Sequence, residues 1–427
     1  MQKRISPAGA IGGAIRLPGD KSISHRYGIL AGIAEGTSQL HNYSSGADCH
    51  STLGCLRALG IEIEISGTSV TIHGKGPSGL RAPAATLNAG NSGSTIRMLS
   101  GILAAQPFIT RIAGDESLSR RPMARIMSPL ADMGAKISAL DDKFPPLEIH
   151  GGALRPIDYS TPVASAQVKS CVLFAGLYAH GRTTIREPLR TRDHSEIALR
   201  EFGADIDAGP RVVSVNGPAV LRARELTVPG DLSSAAFFLV AALMSKDADL
   251  TILGVGLNPT RSELIDFLVG IGGDVKILDV KSSGGELVGD LRVRNSRIRG
   301  GVIDKALTAA LIDEIPVLAV LGASSEEGLT VRDASELRVK ETDRIATVAE
   351  NMKRMGVAIE VFDDGFHVPG KQQFHGAEVA SYGDHRIAMA FAVAGLAASG
   401  ETVVGEAEAA SVSFPEFYDK LRVIAGK

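Results

Sequence analysis

The chain has 427 residues and a formal charge of −3, too long for one ordinary core and too balanced for a general polyanion binder. With 4% aromatic residues and no tryptophan it has little with which to stack bases, so no nucleic acid partner is expected. Cys49, Cys55 and Cys171 form no CxxC pair, the start at Met1 to Ile5 has no apolar core behind it, and no run reaches the length of a membrane span; a reduced, cytoplasmic setting with no membrane is expected.

In chain order, an unassigned strand near Ala14-Ile15-Arg16-Leu17 leads through Pro18-Gly19 to Asp20-Lys21-Ser22, which opens an apolar run from Ile23 to Ile33 near helical spacing. Asp20 or Ser22 can cap that helix, and Lys21, Ser22 and Arg26 surround its start. Free backbone N–H groups, the positive end of the helix dipole, a hydroxyl and two cations together make an anion site.

Similar cap sets recur with a period of roughly 70 residues, longer than the usual solenoid repeats. They stand at Asn91-Ser92-Gly93-Ser94, Ser165-Ala166-Gln167, Asp231-Leu232-Ser233-Ser234, Asp313-Glu314 and Gly383-Asp384-His385, giving six units with the first. Each helical run passes into a short alternating strand, as at Gly36 to Leu40, Gly181 to Ile185 and Gly400 to Val404. A second amphipathic helix follows in each unit, closing on a glycine before another strand: Gly60, Gly134, Gly203, Gly272 and Gly356 serve as left-handed C-caps. The sixth reaches Gly426 with no strand after it, and the strand near Ala14 to Leu17 is available to complete it. The spacing therefore predicts two domains, residues 1–17 with 230–427 and residues 18–229, crossing at the Pro-Gly junctions Pro18-Gly19 and Pro229-Gly230, with a cleft between them as the ligand site.

Further candidate ligands collect at the helix starts. Asn91 to Thr95 offers hydroxyls and a bare glycine backbone with Arg97 one turn in, and Arg120-Arg121-Pro122 sets two arginines beside a proline at a first helical turn. Ser165 and Gln167 can orient a polyhydroxylated ligand, and Arg192, in Thr191-Arg192-Asp193-His194, can meet a phosphate; His194 is assigned no role. Asp313 and Glu314 precede Ile315-Pro316, where an acid commonly caps. In Leu337 to Ile345 a helical reading puts Lys340 and Arg344 on one face with Glu341 beside them. Tyr382-Gly383-Asp384-His385-Arg386 brings a last arginine to a helix start. Each taken singly also fits a capped helix with solvated charges. Together, at equivalent points of a repeat in a chain of net negative charge, they call for a substrate with several negative charges, phosphate and carboxylate.

These residues resemble the 5-enolpyruvylshikimate-3-phosphate (EPSP) synthase family over essentially the whole chain, through Gly19-Asp20-Lys21-Ser22-Ile23-Ser24-His25-Arg26, Asn91 to Ser94, Arg120-Arg121-Pro122, Ser165-Ala166-Gln167, Asp313-Glu314-Ile315-Pro316, Arg338 to Arg344 and Gly383 to Arg386. The resemblance implies an α/β fold of two globular domains, each of three βαβαββ units, closing over shikimate 3-phosphate and phosphoenolpyruvate, in a monomeric enzyme of aromatic amino acid biosynthesis. It implies Lys21, Ser22, Arg26, Ser165, Ala166, Gln167, Arg192, Asp313 and Lys340 for shikimate 3-phosphate. For phosphoenolpyruvate it implies Lys21, Asn91, Gly93, Arg121, Gln167, Arg344, His385 and Arg386. Asp313, Glu341 and Lys21 are the implied catalytic groups, and no metal or cofactor is expected, because cations supply the charge neutralisation and no Cys or His cluster has ligand spacing. Two positions depart from the pattern: Val412 stands where many members carry a lysine, with Lys169 or Arg192 as candidates to compensate, and Ala166 replaces a serine, while Gly93 keeps a small residue. A sibling transferase acting on UDP-N-acetylglucosamine typically has a cysteine where this chain has Glu116-Ser117. A non-catalytic binder of phosphorylated metabolites would gain nothing from Asp313 and Glu341 among its cations.

Overall fold

A computed structural model describes residues 1–426. Two compact units divide the chain: Gly19–Val228 with Ser282–Glu286, and Met1–Pro18 with Pro229–Lys281 and the chain from Leu287 onward. In the first of these, three four-stranded sheets share one order. Leu87–Asn88 pairs parallel with Ile109–Ala113, which pairs antiparallel with Phe144–His150, and Lys136–Leu140 closes the sheet. The sheet of Asp158–Ser160, Gly181–Arg186, Val212–Gly217 and Ile206–Ala208 repeats this arrangement. In the remaining sheet Glu35–His41, Ser69–Lys75 and Glu62–Ser66 lie in the same places, but the parallel edge strand is Glu225–Thr227, from the far end of the unit.

The other unit is built alike. Its complete sheets are Ile11–Arg16, Ala248–Gly256, Glu286–Arg294 and Asp274–Ser283, and then Gly301–Ile303, Leu329–Val331, Gly365–Val368 and Glu360–Phe362. The sixth sheet has three strands, Glu378–Ala380, Thr402–Gly405 and Lys3–Ile5. It is thus Lys3–Ile5, antiparallel to Thr402–Val404, that follows the sixth helix pair in the sheet, and not the strand around Ala14. Ile11–Arg16 instead runs parallel to Ala248–Leu253, because Ile11, Ile15 and the following Leu17 are buried in the core beneath that sheet. Three residues of Lys-Arg-Ile are too few for alternation to show in the sequence.

Each unit has three inner helices packed against one another: Lys21–Ile33, Gly93–Leu103 and Ala166–Gly176 in one, Leu232–Met244, Ile315–Ser324 and His385–Leu396 in the other. They are buried almost all round, and the polar groups inside them, such as Arg26, Ser100 and Ser170, are met by hydrogen bonds within the core. Five start on a side-chain cap. Asp20 accepts from Ile23 N at 2.9 Å, Ser92 from Thr95 N at 3.0 Å, Ser165 from Val168 N at 3.4 Å, Asp231 from Ser233 N at 2.8 Å and Asp384 from Arg386 N at 2.8 Å. The fifth helix in chain order departs: Glu314 is in the cap position but its side chain does not cap, and Pro316 in the first turn has no N–H to satisfy. The second helices end at Gly60, Gly134, Gly203, Gly272 and Gly356, all at positive φ. No single helix among the described residues is long and apolar enough to cross a membrane.

Helices Gly93–Leu103 and Ala166–Gly176 approach so closely at Gly101 that a Cβ there would lie 2.1 Å from the carbonyl oxygen of Cys171. Gly101→Ala must push two elements apart that both carry candidate ligands, at a cost of about 1–3 kcal/mol. A urea midpoint unchanged from wild type would show that the helices are not held this tightly.

Candidate functional site

In the unit containing Lys21, the first helix presents Lys21, Ser22 and Arg26 within its first turns, after the Asp20 cap. Lys21 Nζ lies 3.1 Å from Asp48 Oδ2, on the helix that follows. Arg26 is buried, and its guanidinium donates from Nε to Ser195 Oγ at 2.6 Å, from Nη1 to the Ser22 carbonyl at 2.8 Å and from Nη2 to Ser170 Oγ at 2.9 Å. Burial lowers its pKa to about 10; Glu196 opposes the shift and the nearby Arg192 cation reinforces it. Arg192 is half-buried, just before helix His194–Glu201.

The other two inner helices of this unit share a second polar cluster. Asn91 donates to Asp115 at 2.8 Å and accepts from Arg121 at 2.8 Å, and Arg121 reaches Ser117 Oγ at 3.1 Å. Gln167 accepts from Arg97 Nη1 at 2.7 Å and donates to Ser94 Oγ at 2.9 Å. Gly93 begins its helix against both arginines: a Cβ there would lie 3.0 Å from Arg97 Nη1 and 3.5 Å from Arg121 Nη1. Ala166 follows the Ser165 cap. Helix Ala124–Asp132 begins after Met123, so Pro122 stands before the helix rather than in its first turn, and of the two arginines Arg121 is buried while Arg120 is exposed beside Glu116.

In the unit containing Asp313, that carboxylate is ringed by cations, 3.6 Å from Arg386 Nη2, 3.7 Å from Arg344 Nη1 and 4.0 Å from Lys340 Nζ. Arg386 Nη1 also donates to the Asp313 carbonyl at 2.8 Å. Arg344 is fully buried and held by Asp384, at 2.8 and 3.2 Å, and by Glu341 at 2.6 Å. Burial opposes its charge, but Asp384, Glu341 and Asp313 outweigh that and hold its pKa above the ordinary arginine value. His385 is buried, its Nδ1 3.9 Å from Asp384 Oδ1.

Lys340 and Arg344 do not share a helix. A 3₁₀ turn, Ser335–Val339, ends before Lys340, and Asp343 caps a new helix by accepting from Ala346 N at 3.0 Å. Asp343 as an N-cap was the signal for this break, masked by the charge pattern around it. Lys169 cannot compensate for Val412, because it is buried in ion pairs with Glu187 at 2.8 Å and Glu196 at 2.7 Å. Residues the sequence reading passed over are Asp384 as the buried partner of Arg344, Ser170 and Ser195 as partners of Arg26, and Glu286, whose Oε1 lies 2.7 Å from His194 Nδ1 in the core. Serine and aspartate partners separated by 25 to 169 positions leave no local pattern to find. The one His and acid grouping among the described residues that could hold a metal, Glu62, Glu64 and His73, includes none of these residues.

Paired three-sheet units with charged helix starts define the enolpyruvyl transferase fold: the enolpyruvyl transferase NikO from Streptomyces tendae superposes with a TM-score of 0.76 over 99% of this chain and 96% of its own, at 19% identity. An EPSP synthase from Acinetobacter baumannii matches with a TM-score of 0.89 and 41% identity over 99% of this chain and 98% of its own. A 3-phosphoshikimate 1-carboxyvinyltransferase from Solibacter usitatus is 65% identical over the full length of both chains. The family model for EPSP synthase (3-phosphoshikimate 1-carboxyvinyltransferase) matches residues 5–421, and the chain belongs to the EPSP synthase family, enzymes of the shikimate pathway.

His25, wholly buried behind the first helix start, meets Thr52 Oγ1 at 2.7 Å, and burial, then the charges of Lys21 and Arg26, hold its pKa well below 6.5. The unfolded chain takes up a proton there near pH 6.5 and the folded protein does not, so stability is full above that pH and falls as pH drops below it. Between about pH 6 and pH 5 the wild type should lose up to about 1.4 kcal/mol more per pH unit than His25→Gln. Equal slopes in urea titrations of the two proteins would mean that His25 is charged in the fold.

Proposed function

We propose that this chain transfers the enolpyruvyl group of phosphoenolpyruvate to the 5-hydroxyl of shikimate 3-phosphate, as a monomer in the cytoplasm. The observation that carries this reading is the placing of two acids, Asp313 and Glu341, in direct contact with the cations Arg344, Arg386 and Lys340. A pure anion binder gains nothing electrostatically from that arrangement, whereas an addition and elimination across a double bond needs proton acceptors and donors beside the anion ligands.

In this mechanism Lys21, Ser22, Arg26, Ser165, Gln167, Arg192 and Lys340 hold shikimate 3-phosphate, with Ala166 supplying helix-start backbone. Lys21, Asn91, Gly93, Arg121, Gln167, Arg344, His385 and Arg386 serve phosphoenolpyruvate. Asp313 takes the proton of the 5-hydroxyl as its oxygen attacks C2 of phosphoenolpyruvate, while Glu341 delivers a proton to C3. The tetrahedral adduct then loses phosphate from C2, with Lys21 protonating the leaving group, and C3 returns its proton to Glu341, restoring the double bond. The hydrogen bonds from Arg97 and to Ser94 that fix the Gln167 amide support its role in orientation. The sibling reaction on UDP-N-acetylglucosamine is not favoured: Ser117, in the short helix Glu116–Ser119, accepts from Arg121 where the sibling typically has a cysteine, and all three cysteines are buried, with burial raising each thiol's pKa.

Phosphate release from phosphoenolpyruvate is expected with shikimate 3-phosphate present, and neither without an acceptor nor with UDP-N-acetylglucosamine. Asp313→Asn and Glu341→Gln should each lower kcat by about 10²–10⁴-fold while the affinity for shikimate 3-phosphate changes far less. Near-normal turnover by Glu341→Gln would remove it from the proton transfers, and silence of the wild type with every acceptor would overturn the reaction itself.

A further inference from the structure

We infer that Ser170 and Ser195 are positioning residues that fix the Arg26 guanidinium through neutral contacts and so leave its charge for an anionic group of shikimate 3-phosphate, an inference that rests on the assignment of Arg26 to that substrate.

The proton count of the cluster admits one arrangement. Ser170 Oγ donates to the Ala166 carbonyl at 2.6 Å, so in its contact with Ser195 Oγ, 2.5 Å away, the Ser195 hydroxyl is the donor. Both oxygens then present lone pairs to Arg26, Ser195 to Nε at 2.6 Å and Ser170 to Nη2 at 2.9 Å, while Nη1 donates to the Ser22 carbonyl at 2.8 Å. An arginine has five N–H groups, of which three are used here. One remains on each Nη, a pair suited to a two-pronged contact with phosphate.

The chemistry of the partners separates Arg26 from the still more deeply buried Arg344. Arg344 is gripped by Asp384 and Glu341, so its charge is already met. Among the described residues no carboxylate is ion-paired with Arg26, whose hydrogen-bond acceptors are two hydroxyls and a carbonyl; Glu196, Asp20 and Glu286 favour its charge only from longer range. Its charge survives burial, the pKa of about 10 leaving it protonated at neutral pH. A buried, oriented cation with no hydrogen-bonded counter-ion carries a desolvation cost that an anionic substrate group offsets.

The orienting serines are themselves held. Both are buried, Ser170 in helix Ala166–Gly176, whose cap set supplies Ser165 and Gln167, and Ser195 in helix His194–Glu201, which follows Arg192. His194, beside Ser195, meets Glu286 at 2.7 Å with both side chains buried. The pair thus ties Arg26 to two further elements bearing candidate ligands for the same substrate.

The test measures shikimate 3-phosphate affinity by calorimetry, and KM for both substrates, in Ser195→Ala, Ser170→Ala and Ser195→Thr, alone and on an Arg26→Lys background. Each alanine variant is expected to weaken shikimate 3-phosphate binding about tenfold, with little change in KM for phosphoenolpyruvate at saturating co-substrate, and Ser195→Thr to restore most of the loss. An ammonium at position 26 lacks the fixed planar spread by which the guanidinium is oriented, so on the Arg26→Lys background the alanine changes should add almost nothing. Losses that add fully to that of Arg26→Lys, or that fall equally on both substrates, would overturn the positioning role. Arg26→Lys binding shikimate 3-phosphate as tightly as wild type would instead overturn the assignment of Arg26 beneath it. Ser170→Ala carries the same expectation if Ser195→Ala fails to fold.

Discussion

Burial of the inner helices is the constraint on which the rest of this structure depends. Helix His385–Leu396 is buried at every position, and helix Leu232–Met244 at all but Met244. A helix so enclosed cannot expose a polar face anywhere along its length, yet its first four N–H groups still require partners. The start of each helix is therefore a place where the core must meet polar chemistry. Asp20, Ser92, Ser165, Asp231 and Asp384 answer that requirement with side-chain caps, and the groups next to them inherit a positive helix end and a fixed backbone. Repeating the unit repeats the opportunity, so a fold with one structural solution presents several anion-binding starts.

The two units use those starts differently. Around Asp313 the acids and cations are interleaved: Arg344 alone bridges Asp384, Glu341 and Asp313, and Arg386 reaches both Asp313 and Glu314. Such a network is rigid and nearly self-neutral, which suits groups that must exchange protons without drifting. Removing Asp384 would take two of the hydrogen bonds from a fully buried guanidinium and leave it to Glu341 and Asp313. Around Arg26 the partners are hydroxyls and a carbonyl, an arrangement that orients a cation without neutralising it. Local chemistry of the partners, not the number of basic residues, separates the interleaved cluster around Asp313 from the hydroxyl-held cation at Arg26.

The repeat was legible because its signals are local. A cap, an apolar run, a turn and a C-terminal glycine occupy consecutive residues, so the order of helices and strands could be read from spacing at each unit. What escaped was whatever depends on distant partners or on competition between two local signals. The segment from Leu337 to Ile345 has charges at helical spacing, but Asp343 caps a helix that starts at Arg344; the cap satisfies a backbone N–H outright, whereas Lys340 and Arg344, both cations, gain nothing by sharing a helix face. Lys169 looked like a spare cation until its burial between Glu187 and Glu196 was visible. The partners of Arg26 lie 144 and 169 residues away in sequence, and no spacing argument reaches that far.

The same distinction explains the misplaced N-terminal strand. Strands Ile11–Arg16 and Glu225–Thr227 each stand just before a Pro-Gly junction and an inner helix, the position an edge strand has in the other repeats. Yet each pairs in the sheet of the other's helix: Ile11–Arg16 lies in the sheet of the unit that holds helix Leu232–Met244, and Glu225–Thr227 in that of the unit that holds helix Lys21–Ile33. The exchange conserves every parallel edge pairing, so it costs the sheets nothing, and it makes the chain cross between units twice at these junctions. Since either strand would satisfy either sheet by pattern alone, the choice is made by the rest of the fold. Proline at positions 18 and 229 supports that choice by denying the crossing segment a continuous helix, which lets the strand end in one unit and the helix begin in the other.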